Sequence, residues 1–130
     1  MKKVDLAYTA GIIDGEGCVQ IQRRLYPRRV TYLSLIEVSN TNRKILEWLH
    51  QHFGGYLKQF KRKKIFSPKA KPQWVWSITQ KTGLKKFAGW MLHYSILKHE
   101  QLGLVLAFLD KEIDDEVAFK KMKVLNHRGV

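Results

Sequence analysis

Two carboxylates, Asp14 and Glu16, sit among three glycines in the run Thr9-Ala10-Gly11-Ile12-Ile13-Asp14-Gly15-Glu16-Gly17. Carboxylate oxygens are hard donors, the kind that Mg²⁺ takes together with water and phosphate oxygens. The acids close an apolar stretch and so fall at the C-terminal end of a helix, where the dipole disfavours them by ~0.3–1 kcal/mol. A cation between two such ends would offset that cost. The plainer alternative makes both acids turn residues that bond local amides. No competing centre is visible: His50 and His52 are neighbours, while Cys18, His93, His99 and His127 are scattered without zinc-ligand spacing. Gly54-Gly55 lacks the Lys-Ser/Thr of a phosphate loop and reads as a helix stop.

The elements that must position these acids follow from periodicity. Residues 4–13 read as a mostly apolar helix ended by glycines, with Ala7, Ala10, Gly11 and Asp14 sharing one face. Three of these four are Ala or Gly, so a second helix can approach towards the short end of the usual ~8–10 Å. Residues 18–24 alternate as a strand, Val19 and Ile21 to one side, Gln20, Gln22 and Arg24 to the other. After a turn at Tyr26-Pro27-Arg28-Arg29 comes a second strand, 31–38. Its alternation is blurred by Leu33 and Leu35 opposite Tyr32, Ile36 and Val38, which a bulge or an intermolecular face would explain. Residues 39–42 offer N-caps for a helix to about Phe53, with Ile45, Leu49 and His52 or Phe53 as its inner stripe. Residues 56–63 read as a third strand and 73–79 as a fourth, with a basic loop between them and Trp74, Trp76 and Ile78 facing inward. Leu84, Phe87, Ala88 and Met91 mark a helix, 102–109 a second and 114–125 a third, the last with acids first and lysines last. The order α-β-β-α-β-β-α-α-α describes an α+β domain with one antiparallel sheet.

Composition narrows the partner. A chain of 130 residues is one domain with a real core, and 24 Lys and Arg against 11 Asp and Glu leave a net charge of +13. That balance favours a polyanion, whose phosphates release counterions when neutralised. The single cysteine, Cys18, excludes an intrachain disulfide framework and suits a reducing interior. Asp5, Asp14 and Glu16 interrupt what could pass for a secretory signal, and no run approaches the ~18 apolar residues of a membrane helix. The expectation is a soluble, intracellular protein with no membrane partner.

The run 9–17 resembles the signature of the LAGLIDADG homing endonucleases: Ala10, Gly11, Ile13, Asp14 and Gly17 match, and Glu16 holds the acidic position where most members carry Asp. The element order resembles that family's αββαββα core, over residues 4–109 of a single domain 1–130. The resemblance implies a curved four-stranded antiparallel sheet forming a DNA-binding saddle, with helices on its other face. With only one motif in the chain, it implies a homodimer packed through Ala7, Ala10, Gly11 and Asp14 of paired motif helices. It implies Mg²⁺ as cofactor, with Mn²⁺ able to replace it and Ca²⁺ binding without supporting cleavage. Glu16 would be the direct ligand, helped by the Gly15 carbonyl, while Asp14 would shape the helix end. Lys98 would stabilise the phosphorane or perturb the attacking water, Asn40 would organise active-site water, and Lys44 would reach the scissile phosphate. A solvated lysine at a helix start and a plain N-cap are the alternatives for Lys98 and Asn40.

On such a sheet the polar strand sides form the reading surface: Gln20, Gln22 and Arg24; Tyr56, Lys58 and Arg62; Gln73 and Ser77. Gln and Arg bond adenine and guanine edges bidentately in the major groove, which admits a two-stranded ribbon. Arg28 and Arg29 at one turn, and Lys61, Lys63, Lys64, Lys69 and Lys71 near the other, would hold phosphates and set orientation. The expected function is site-specific cleavage of double-stranded DNA at a long pseudo-palindrome, by Mg²⁺-dependent phosphodiester hydrolysis across the minor groove that leaves short 3′ overhangs. An intron-encoded maturase with intron RNA as partner is the second reading. A non-catalytic DNA-binding protein is the third.

Overall fold

The computed structural model describes residues 1–60 and 72–127. Among these, the chain runs α1 (Lys3–Glu16), β1 (Gly17–Tyr26), β2 (Arg29–Asn40), α2 (Arg43–Phe53), β3 (Tyr56–Phe60), β4 (Gln73–Ile78), α3 (Lys81–Tyr94), α4 (His99–Leu109) and α5 (Asp115–His127). This is the expected order. The strands form a curved antiparallel sheet in the order β1-β2-β4-β3. Residues 61–63 of the expected third strand lie outside the described residues, as does the basic loop that follows, and with them Lys61, Arg62, Lys63, Lys64, Lys69 and Lys71.

Alternation builds the core. Val19, Ile21, Ile36, Val38, Trp76 and Ile78 fall on one face of the sheet and are buried with Leu84, Phe87, Ala88 and Met91 of α3. The blurred second strand contains no bulge where it meets β1, because their register runs unbroken from Gly17↔Val38 to Tyr26↔Arg29. Ser34, Ile36 and Val38 take the helix side, and Leu35 is buried on the opposite face against its partner Gln20. In α2 Leu49 is buried as expected and Ile45 and Phe53 are half-buried against the core, while the other fully buried position is Leu46, next to Ile45.

Caps and braces fix the element ends. Asn42, not Asn40, caps α2, accepting the Lys44 amide at 3.0 Å. Gly54 (φ 72°) and Gly55 (φ 84°) stop that helix in a backbone region that favours glycine. A Cβ on Gly55 would lie 2.4 Å from the Ser77 carbonyl oxygen, and Trp76 Nε1 donates to the Gly54 carbonyl at 2.7 Å. Helix α5 braces the β1–β2 ribbon: Glu116 accepts from Arg23 at 2.7 Å and from the Tyr32 hydroxyl, and Asn126 donates to the Val19 carbonyl at 2.9 Å. No helix among the described residues is long and apolar enough to cross a membrane.

Candidate active site

Helix α1 continues three residues beyond the expected end, through Gly15 to Glu16, so both acids occupy its last turn. Gly17 lets the chain leave: its backbone is extended, and a Cβ there would meet the Ile13 carbonyl oxygen at 2.7 Å and the Ile13 Cα at 2.8 Å. Strand β1 thus starts directly from the helix that carries the acids.

Asp14 is bonded to the connection between α3 and α4. One oxygen accepts the Ser95 hydroxyl and the other accepts the Ile96 amide at 2.9 Å; Ser95 Oγ in turn accepts the Lys98 amide at 3.0 Å. Burial is the largest single influence and pushes the Asp14 carboxyl up. The Ser95 hydroxyl and the amides of Ile96, Leu97 and Lys98 together outweigh it and hold the carboxyl below its usual value. Asp14 does bond backbone amides, but those at the approach to α4, not those of its own helix end. Through Ser95 this clasp fixes the backbone of Lys98, the half-exposed residue that precedes α4.

Glu16 differs from Asp14 in exposure and in partner. It is exposed, and its Oε2 accepts from Asn40 Nδ2 at 2.9 Å. Asn40 Oδ1 accepts the Asn42 amide at 2.8 Å, so the asparagine is itself held in place. The fold therefore brings Asn40 and Glu16 together. The Gly15 carbonyl, in the last turn, belongs to the four that have no partner within a helix. Among the described residues no group of three or more His, Cys, Asp or Glu could hold a metal ion. One exposed carboxylate and a helix-end carbonyl nevertheless suit Mg²⁺, which is commonly held by one or two carboxylates with waters and phosphate oxygens completing its shell.

The exposed face of α1 is not quite the one the spacing indicated. Ala10 is buried at 2% exposure, packed with Leu6, Thr9 and Ile13 inside the fold, and so is not available to a second helix. The exposed small residues are Ala7, Gly11 and Gly15, spaced four apart, and a Cβ on either glycine would meet nothing within 4 Å. Val4 and Tyr8 are exposed beside them, as are Ile96 (84%) and Leu97 (64%), which the Asp14 clasp holds near the helix end. Sequence reasoning passed over Ile96 and Leu97. Their signal was an apolar pair in Ser-Ile-Leu-Lys that belonged to no helical or strand period.

On the sheet, the face turned from the helices carries Gln20, Gln22 and Arg24 of β1, Lys58 of β3, and Gln73 and Ser77 of β4. Arg24, Arg28, Arg29 and Lys58 are exposed; Gln20, Gln22, Gln73 and Ser77 are half-buried. Gln22 donates to Gln20 at 2.9 Å and Gln20 to Cys18 Sγ at 2.8 Å, forming a polar ladder along the strand.

The fold matches solved homing endonucleases. The homing endonuclease I-CvuI, in complex with its target, is similar over 95% of this chain and 82% of its own, with a TM-score of 0.80 at 20% identity. The archaeal intron-encoded homing endonuclease I-Vdi141I, complexed with DNA, is similar over 97% of this chain and 99% of its own, with a TM-score of 0.65 at 15% identity. The LAGLIDADG homing endonuclease I-GzeII, in complex with its DNA target, is similar over 82% of this chain and 35% of its own, with a TM-score of 0.65 at 12% identity. At these identities the likeness is one of fold. No protein-family model and no curated protein matches the sequence.

Proposed function

We propose that this chain, which has the fold of the LAGLIDADG homing endonucleases, is a homodimeric, Mg²⁺-dependent endonuclease that cuts both strands of a long pseudo-palindromic DNA site. The observation that carries the reading is the Asn40–Glu16 bond. It holds one oxygen of an exposed acid at the end of a glycine-lined helix, in a chain of net charge +13.

Two copies pack along Ala7, Gly11 and Gly15 about a two-fold axis, with Val4, Tyr8, Ile96 and Leu97 adding apolar area. This brings both Glu16 side chains to the axis, where two helix C-termini and two carboxylates repel each other unless a cation intervenes. Glu16 and the Gly15 carbonyl would hold Mg²⁺, or Mn²⁺ in its place, and Ca²⁺ without cleavage. When bound, the ion supplies positive charge at the phosphate and lowers the pKa of a water. Asn40 keeps Glu16 oriented. Lys98, its backbone set by the Asp14–Ser95 clasp, opposes the negative charge that develops on the phosphate. Asp14, with both oxygens engaged inside the chain, stays out of the ion's shell.

The ten residues of β1 extend about 30 Å at ~3.3 Å each, the length of roughly nine base pairs. Each protomer therefore reads one half-site, and the symmetric dimer reads two inverted halves. Gln20, Gln22, Arg24, Gln73 and Ser77 address base edges. Arg28, Arg29 and Lys58, with the lysines and arginine of 61–71, hold phosphates. Cleavage falls across the minor groove and leaves short 3′ overhangs, and the protein acts inside the cell on the genome of its host compartment.

The test uses duplexes selected by the protein from a randomised library in Ca²⁺, to which Mg²⁺ is then added with wild type or Glu16→Gln. Double-strand cleavage by wild type, with binding but no cleavage by Glu16→Gln, is expected. Undiminished cleavage by Glu16→Gln removes Glu16 from the chemistry. Binding to structured intron RNA without any DNA cleavage would transfer the reading to an RNA maturase.

A further inference from the structure

The sheet face assigned to DNA carries an acid, Glu37. Its strand neighbours Ile36 and Val38 are both buried on the helix side, which places Glu37 on the opposite face. The register sets it between Cys18 on β1 and Ser77 on β4, and along its own strand the same face continues with Leu35 and Ser39. None of these four neighbours is cationic, and Glu37 has no ion-pair partner among the described residues. A half-buried carboxylate on the surface that meets a polyanion weakens binding by like-charge repulsion unless the nucleic acid offers it a donor.

We infer that Glu37 is a specificity residue that accepts a hydrogen bond from the N4 amino group of a cytosine in the major groove; the inference rests on the DNA-cleaving function proposed above. An ionised carboxylate has acceptors only. Guanine presents acceptors in that groove, thymine an acceptor and a methyl group, and adenine a donor with the N7 acceptor beside it. Cytosine presents a donor with no acceptor of its own alongside, and so satisfies Glu37 without opposing it. Buried Leu35, next on the same face, limits water around the contact and strengthens it. Position follows from register. Cys18, the partner of Glu37, comes directly after Gly17, where α1 passes into β1. The cytosine therefore lies at the inner end of each half-site, beside the dimer axis, and the two-fold repeats it in the other half. Arg24, paired with Thr31 six positions farther along β1, reads towards the outer end.

The experiment selects duplexes from a randomised library in Ca²⁺ with the full chain as wild type, Glu37→Gln and Glu37→Ala. Wild type should enrich cytosine about tenfold at one inner position of each half-site. Glu37→Gln should transfer that preference to adenine, whose N6 and N7 an amide bonds together, and Glu37→Ala should level it, with every other position unchanged. The same base pattern from all three proteins overturns the inference. So does a uniform gain in affinity by Glu37→Gln across all sequences, which would mark the acid as a charge balance only. Failure of wild type to enrich any sequence overturns the proposed function and this inference together, whereas an unaltered pattern in the variants removes Glu37 alone.

Discussion

Asp14→Ala tests whether the first acid of the motif is an internal clasp. Two hydrogen bonds are lost, with different consequences. Ile96 is 84% exposed, so its amide regains water and little is forfeited. Ser95 is 8% exposed, so its hydroxyl loses a charged acceptor that water does not readily replace. A hydrogen bond to a charged group contributes ~1.5–3 kcal/mol. Asp14 is only half-buried, and solvent screening reduces this to roughly 1–2 kcal/mol. In a domain of this size the loss lowers the unfolding midpoint by about 5 °C. The pH dependence has a definite sign. The folded carboxyl lies below its ordinary value of 3.8, so the unfolded chain takes up the proton more readily. The stabilisation is therefore complete above that value and is lost as pH falls through the lower, folded one. Thermal unfolding followed by circular dichroism should show the gap between wild type and Asp14→Ala widest near neutrality and closing in acid below 3.8. Equal midpoints at neutral pH would refute the clasp. A gap that does not change with pH would refute its electrostatic origin.

Three further outcomes follow from the packing. Gly11→Leu should abolish the proposed dimer in light scattering while leaving a monomer at least as stable, because a Cβ there meets nothing within 4 Å and the change removes a helical glycine worth ~1 kcal/mol. Gly55→Ala should destabilise by roughly 2–4 kcal/mol in urea, since φ is 84° and the new Cβ would lie 2.4 Å from a backbone oxygen that cannot move aside. Ser34→Ala should stabilise by about 1 kcal/mol in the same assay, because Ser34 Oγ is buried with no hydrogen-bond partner among the described residues.

Much of the fold was legible because alternation and helical spacing state directly which residues must be inside. Val19 and Ile21, Trp76 and Ile78, and Leu84, Phe87, Ala88 and Met91 are buried as their spacing requires. The site was less legible, for physical reasons. Glycine is a weak helix former, which argued for ending α1 at Ile13, yet the helix runs on through Gly15 to Glu16. Spacing placed Ala7 and Ala10 on one face, but only the positions of the sheet and α3 decide that Ala10 turns inward. Asn40 and Asn42 are both acceptable caps by residue type, and the choice between them depends on Glu16, 24 positions away. The Asp14–Ser95 bond spans 81 positions and leaves no local trace. The motif acids, the small-residue character of the first helix and the polar strand sides were readable, because each is a property of residue type at short range.

The decisive question is whether Glu16 from two protomers meets a divalent cation over DNA. It is tested most directly by crystallising the protein on a selected duplex with Mn²⁺ and locating manganese by anomalous scattering. The expected result is manganese in contact with the Glu16 carboxylates of both protomers and with a phosphate oxygen at the centre of the site. Manganese bound away from Glu16, or a DNA-bound chain whose α1 faces solvent, would contradict it.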